Sequence, residues 1–290
     1  MATKAFADEL AAAVSARESQ IVLGLDPDPR KLWPVGEPAA GGVAERTAAA
    51  VLAHCRAVIE AVGEACVAVK PQLACFERLG APGIAALREV IAAGREAGLL
   101  VIADAKRGDV PVSAAAYAQA LAGSTPGPFG EVQGLGVDAF TANPLLGRDA
   151  LEPLIATGAG VFVLVRTSNP GAADVQDLEL AGGGALWERL ARLVAELGAP
   201  RECGLSDVGA VIGATEPEHL ERARELMPHA VFLLPGIGAQ GGRVDDLAPV
   251  FAPGRAAGLV SASRAIVDAG GAGPAHAEAQ RLRELAWRLV

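Results

Sequence analysis

Lysine is scarce in this chain, with 4 residues among 290 against 21 arginines. Other reactive side chains are sparse too. The four cysteines, Cys55, Cys66, Cys75 and Cys203, have no CxxC spacing. That excludes a thioredoxin-type motif or zinc ribbon and leaves reduced structural thiols, the usage expected in a cytoplasm. The four histidines are scattered, with no HxH or HExxH, so no metal site is expected. No apolar run reaches the roughly 18 residues that crossing a bilayer requires, so no membrane span is expected. The opening MATKAFADELAAAVSARESQ carries Lys4, Asp8 and Glu9 in its alanine-rich part, lacks a signal-type apolar core and reads as an amphipathic helix. A net charge of −9 with a pI near 5.0 argues against nucleic acid or an anionic membrane as a partner. Only a local arrangement of donors would hold a phosphate.

What the chain does have is apolar runs at regular intervals. With 51% hydrophobic residues it can bury a large core. The runs are IVLGL (21–25), CVAVK (66–70), LLVIAD (99–104), VDAFTA (137–142), VFVLVR (161–166), VGAVIG (208–213), AVFLLP (230–235) and GLVSAS (258–263). Helical patterns such as VAERTAAAVLAHCRAVIEAVG and LWERLARLVAELG separate them, and AHAEAQRLRELAWRLV closes the chain. Short continuous strands alternating with helices predict a parallel sheet covered on its outer side. Eight such units favour an α/β fold of the (β/α)₈ TIM-barrel type, with residues 1–290 forming one domain behind an N-terminal helix. An open doubly wound sheet is the alternative, because counting strands does not show closure. Two irregular segments stand out, 122–136 and 168–184. The second follows a strand's C-terminal end, where barrels carry their chemistry, and is the candidate lid.

Two of the four lysines fall at neighbouring strand ends. Lys70 ends strand two, while Asp104 and Lys106 sit at i and i+2 in ADAKRGDV and so are predicted to share one side of strand three. Asp109 follows beyond Gly108, and Asp26 ends strand one. Any one of these charges alone reads equally well as a structural ion pair. Together they form an alternating set of ammonium and carboxylate groups at one mouth. Flanking carboxylates keep a lysine protonated, so it can stabilise a developing carbanion and then protonate it. A carboxylate set against a substrate's own carboxylate strains a ground state that loss of CO₂ relieves. The set therefore suggests decarboxylation without an organic cofactor.

The ends of strands seven and eight suggest a phosphate. PGIGAQGG (235–242) follows strand seven, and its glycines would let backbone N–H groups approach an anion. Arg264 stands at the end of strand eight, and the loops after strands seven and eight are the usual barrel phosphate site. Gly236, Gly238 and Gly241 match GxGxxG, but the match comes seventh among the strands and lacks the acidic residue of a dinucleotide fold.

DAKRGDV resembles the D-x-K-x-x-D signature of the orotidine 5′-phosphate decarboxylase family. GLDPDP, VKPQLACFE, FTANPLLG, VRTSNPGA, PGIGAQGG and SASRAIV agree with that family in order and spacing, from about residue 21 to 267. The set is similar to its longer, bacterial type 2 branch. The resemblance implies conversion of orotidine 5′-monophosphate to UMP, without cofactor, in a (β/α)₈ barrel working as a homodimer with shared sites. It makes Lys106 the proton donor to C6 of the pyrimidine, sets Asp104 against the leaving carboxylate and has Lys70 bridge Asp104 and the ribose. Asp109 would reach into the partner's site. Asp26 would bind a ribose hydroxyl and Ser168 the pyrimidine edge, while Gln240 and Arg264 would hold the phosphate. Ser113 would assist from the partner, although DVPVSAAAYA departs from the family's Gly-Ser-Thr pattern, and a serine at a helix start otherwise reads as an N-cap.

Two rival readings follow from the same residues. Sister enzymes acting on sugar phosphates with magnesium share D-x-K-x-x-D but carry an acidic ligand where this chain has Lys70, whose charge would repel the ion. A non-catalytic nucleotide-binding barrel would need the phosphate residues but not the Lys/Asp set. His54, Cys55 and Trp33 read as packing or edge residues, Arg107 as half of a structural ion pair and Asn143 as a supporting contact.

Overall fold

The computed structural model describes residues 4–34, 36, 40–238 and 241–290. All eight apolar runs form strands of one parallel sheet. These are β1 (Ile21–Leu25), β2 (Ala68–Pro71), β3 (Leu100–Arg107), β6 (Ala139–Ala142), β7 (Gly160–Arg166), β8 (Ser206–Ile212), β9 (Ala230–Leu234) and β10 (Gly258–Ala262). The remaining two, β4 (Ser124–Gly127) and β5 (Gly130–Gln133), form an antiparallel hairpin. The large sheet closes in the order β1-β10-β9-β8-β7-β6-β3-β2, and pairing of β1 with both β10 and β2 excludes the open doubly wound alternative. Near-continuous burial along these strands fits a sheet covered on both faces.

Helices form the outer layer. The long ones are α2 (Val43–Val62), α4 (Ala81–Glu96), α5 (Pro111–Leu121), α7 (Leu186–Leu197) and α10 (Ala272–Trp287). Shorter ones are α3 (Leu73–Glu77), α6 (Arg148–Ile155), α8 (Glu218–Leu226) and α9 (Arg264–Val267). On α2, Val51, Cys55, Val58 and Val62 recur at helical spacing and pack inward, so Cys55 is a core residue, as expected. Burial pushes the Cys55 and Cys66 thiols up to about 12, which leaves them inert.

The N-terminal helix, α1 (Phe6–Arg17), closes the end of the barrel away from the loops that follow the strands. Its Phe6, Leu10 and Val14 join Ile102, Phe162 and Leu259 in the interior cluster. Phe6 meets Phe162 edge to face at 5.9 Å, and Asp207 accepts the Ala7 N–H at 2.8 Å. Gly160 makes this approach possible, because a Cβ there would fall 2.3 Å from the Phe6 ring. With one end plugged, the site is confined to the other.

The fold departs from the sequence reading at two places. Segment 122–136 contains the β4–β5 hairpin, with Phe129 fully exposed between the strands. Its pattern was hidden because both strands are largely exposed and show no apolar alternation. Strand β3 also runs on past Asp104 to Arg107, with a register shift against β6 between Ala103 and Arg107. Lys106 lies in that irregular stretch with φ 48°, a left-handed conformation that a non-glycine residue adopts at a cost.

Candidate active site

A cavity of about 630 Å³ opens where the strands end. Its lining includes Asp26, Lys70, Asp104, Lys106, Ser168 and Arg264, six of the nine expected residues, drawn from β1, β2, β3, β7 and β10 or the segments just beyond them. Parallel strands put all their C-terminal ends at one mouth, so residues up to 238 positions apart converge there (Asp26 and Arg264).

Asp104 is the centre of the charge network. Its Oδ2 lies 2.6 Å from Lys70 Nζ and 3.2 Å from Gln72 Nε2. Its Oδ1 lies 2.5 Å from Lys106 Nζ and 3.0 Å from Thr141 Oγ1. Burial would raise this carboxyl, but the ammonium groups of Lys70 and Lys106 outweigh burial and hold it well below the ordinary carboxylate range. Lys70 is 6% exposed. Burial alone would depress its ammonium, yet the carboxylates of Asp104 and Asp26 overcome that and raise it above its ordinary value. Its charge is thus a fixed feature of the cavity. Lys106 differs, because 45% of its side chain is exposed, so it faces whatever occupies the cavity.

Asp104 and Lys106 do meet, but Lys106 is not in extended conformation. The left-handed turn, held by Thr141 Oγ1 accepting the Lys106 N–H at 2.9 Å, aims the ammonium back at Asp104. Gln72 and Thr141 were both overlooked. Gln72 was legible, since it lies two residues beyond Lys70 and so on its side of the strand. Thr141 lies in FTANPLLG, two residues before Asn143. Asn143 instead braces the next turn, its Oδ1 accepting the Leu145 N–H at 3.1 Å. Arg107 turns away as expected, pairs with Glu77 and stacks over Tyr117 at 5.3 Å.

Asp109 and Ser113 do not line this cavity. Asp109 is half-buried, and its Oδ1 accepts the Val110 N–H at 2.7 Å. Ser113 is not an N-cap, since Val110 holds that place and Pro111 begins α5. Gly108 lets the chain pass Asn143 here, because a Cβ would come 2.5 Å from that residue's carbonyl oxygen.

Beyond β9 and β10, Gly236 and Ile237 line the cavity beside Ser263 and Arg264, and Arg264 is exposed at its rim. Gln240 lies outside the described residues. Gly236, Gly238 and Gly241 take positive φ of 106°, 75° and 93°, which glycine permits. The expected cradle of glycine N–H groups needs correction. Those of Gly238, Gly241 and Gly242 are bound to carbonyls of the loop itself, at 3.0, 2.9 and 3.0 Å. Those three glycines therefore shape the turn, and the Arg264 guanidinium is the cationic group on this side of the cavity lining.

Segment 168–184 forms one wall, with Ser168, Asn169, Gly171, Ala172, Val175 and Gln176 on the cavity. The buried Arg166, unremarked in the sequence, anchors it. Its Nε and Nη2 reach Asp177 at 2.8 and 2.9 Å, and Nη2 also reaches Glu216 at 2.7 Å. Glu216, Glu218 and His219 form a grouping that the scattered histidines had not suggested, but Arg166 already engages Glu216 and its charge opposes a second cation. His54 is buried and accepts the Trp33 N–H at 3.0 Å on Nδ1, so it serves the fold.

The chain is similar to known proteins over most of its length. Residues 19–280 match the family model described as orotidine 5′-phosphate decarboxylase / HUMPS family. An orotidine 5′-phosphate decarboxylase of Rhodopirellula baltica is 42% identical over 275 residues, covering 90% of this chain and 88% of the relative. One from Deinococcus radiodurans is 41% identical over 291 residues, covering 97% of each. The solved Leishmania donovani OMP decarboxylase superposes with a TM-score of 0.75 at 33% identity, covering 99% of each chain. By sequence, by fold and by the charge network in its mouth, the chain belongs to the orotidine 5′-phosphate decarboxylase / HUMPS family.

Proposed function

We propose that this cavity decarboxylates orotidine 5′-monophosphate to UMP and CO₂, using side chains alone. The observation that carries the reading is the run Lys70–Asp104–Lys106 at a cavity of nucleotide size, with an exposed arginine at its rim. In the reaction the bond between C6 and the carboxylate breaks and its electron pair stays on C6. The Lys106 ammonium stabilises that pair and gives C6 a proton, and the resulting amine is reprotonated from water. Asp104, held ionised by its two lysines, stands against the leaving carboxylate, and departure of CO₂ relieves the repulsion. Lys70 fixes Asp104 and reaches toward the ribose, whose hydroxyl Asp26 accepts. Ser168 reads the pyrimidine edge, and Arg264 with Gln240 holds the phosphate.

Asp109 and Ser113, which lie off their own chain's cavity, complete the site of a second copy in a two-fold dimer. The whole of residues 1–290 acts as one barrel domain in the cytoplasm. Among the described residues no helix is long and apolar enough to cross a membrane. The magnesium-dependent sister reaction is disfavoured because the strand-two position that would need an acid carries the Lys70 ammonium, and turnover should persist in EDTA. The deciding experiment adds orotidine 5′-monophosphate and follows loss of its ultraviolet absorbance. Wild type should consume it, and a folded Lys106→Ala variant should be slower by on the order of 10²-fold or more. Near-normal turnover by that variant removes Lys106 from the mechanism.

A further inference from the structure

A threonine hydroxyl has one proton to donate and lone pairs to accept with. Thr141, on the strand next to β3, is 1% exposed and uses both capacities on the charge network. Its Oγ1 accepts the Lys106 backbone N–H at 2.9 Å and lies 3.0 Å from Asp104 Oδ1. An ionised carboxylate only accepts, so the hydroxyl proton must point to Asp104. The direction of the chain is thereby fixed, from Lys106 N–H to Thr141 O–H to Asp104.

The same hydroxyl explains the backbone. Where β3 loses register with β6, the Lys106 N–H loses its regular strand partner, and an N–H partly shielded from water and left without a partner is costly. Thr141 supplies the partner, with Lys106 in the left-handed conformation at φ 48°. That conformation turns the side chain so that Nζ sits 2.5 Å from Asp104 Oδ1. Without the hydroxyl, nothing among these contacts opposes relaxation of Lys106 toward extended backbone, and Oδ1 keeps one donor where it had two.

We propose that Thr141 is a positioning residue, whose hydroxyl holds the strained Lys106 backbone and the Asp104 carboxylate in register so that the ammonium is aimed into the cavity. The role rests on the decarboxylase reading above and acts through Lys106 and Asp104. It leaves the ribose and phosphate contacts of Asp26 and Arg264 untouched, so its loss falls on kcat and not on KM. A misplacement of about 1 Å at a reacting group can cost on the order of 10²-fold in rate.

The test compares Thr141→Val, which keeps the branched shape and removes the hydroxyl, with Thr141→Ser, which keeps the hydroxyl. The Val variant should lose roughly 10- to 100-fold in kcat with KM within about threefold of wild type. The Ser variant should recover to within about fivefold in kcat. A crystal structure of the Val variant should show Lys106 out of the left-handed region. Unchanged kcat in the Val variant overturns the proposal, as does an equal loss in both variants, which would assign the effect to packing. If the Val variant does not fold, Thr141→Ala replaces it with the same outcomes. If wild type fails to turn over orotidine 5′-monophosphate, the decarboxylase reading falls. The Lys106 backbone in the variant crystal then decides the positioning role by itself, and an unmoved φ refutes it.

Discussion

Replacing Asp104 by asparagine changes no volume and removes one charge, so it isolates what that charge does for Lys70. Lys70 is buried, and its ammonium is 2.6 Å from the carboxylate that would be lost. Breaking a buried pair by deleting one partner costs about 3–5 kcal/mol, mostly because the remaining charge is stranded. Lys106 adds little, since nearly half of its side chain is exposed and solvent screens it. The carboxylate now receives four donors, from Lys70, Gln72, Lys106 and Thr141. An amide offers one oxygen and turns N–H groups toward the other pair. Asp26 still faces Lys70 and offsets part of the loss, which places the expected destabilisation near 3 kcal/mol at pH 7.

The pH dependence separates this cause from simple packing loss. In wild type the Asp104 carboxyl is depressed, so its stabilisation is present above about pH 4 and is lost as pH falls through the folded value. The wild-type Lys70 ammonium is raised, so its contribution is present below about pH 10 and is lost as pH rises through the folded value. In the variant, burial dominates Lys70 and depresses it. The unfolded chain then binds the extra proton, and the variant gains stability as pH rises toward about 10. Urea unfolding followed by circular dichroism at pH 5, 7 and 9.5 measures the gap. It should be wide at pH 5 and 7 and narrower at 9.5. A gap below about 1 kcal/mol at pH 7, or one equally wide at pH 9.5, would refute the stranded-charge argument.

Other outcomes follow from the same geometry. Arg264→Ala should lower kcat/KM for orotidine 5′-monophosphate far more than for the unphosphorylated nucleoside, because its partner is a remote group whose binding lowers the barrier. Equal losses on both would place Arg264 elsewhere. Gly108→Ala should destabilise by about 1–3 kcal/mol in thermal unfolding, since its Cβ would meet the Asn143 carbonyl oxygen at 2.5 Å. A neutral result would mean that the two segments move apart freely. Mixing inactive Lys106→Ala with inactive Asp109→Ala should restore activity at about a quarter of all sites after random exchange, because one site of each mixed dimer is then complete. Exchange without recovery would sink the shared site.

The sequence by itself determined the eight barrel strands, the longer helices and the end of the barrel on which the charges lie. Apolar runs of strand length, each followed by a helical pattern, have few ways to hide both faces, and the eight found here were the eight that pair. It also yielded Asp26, Lys70, Asp104, Lys106 and Arg264, because a parallel arrangement sends every strand end to one mouth and the chemistry need only be read there, while Ser168 came from the family resemblance alone. The hairpin at 124–133 escaped, since exposed polar strands leave no periodic trace.

Tertiary structure decided what strand periodicity cannot express. Closure came from the pairing of β1 with β10, a contact between the two ends of the sheet that no local pattern encodes. The plug of α1 in the barrel depends on Gly160 giving way to Phe6, more than 150 residues distant in the chain. Lys106 reads in sequence as an ordinary strand residue, yet its backbone is left-handed, because a hydroxyl on the neighbouring strand holds its N–H there. The glycines of PGIGAQGG promised free N–H groups, and the folded loop spends three of them on its own carbonyls. Local sequence sets which conformations a segment can take at low cost. Which of them is occupied, and where its donors and charges point, depends on partners that only the closed barrel brings within reach.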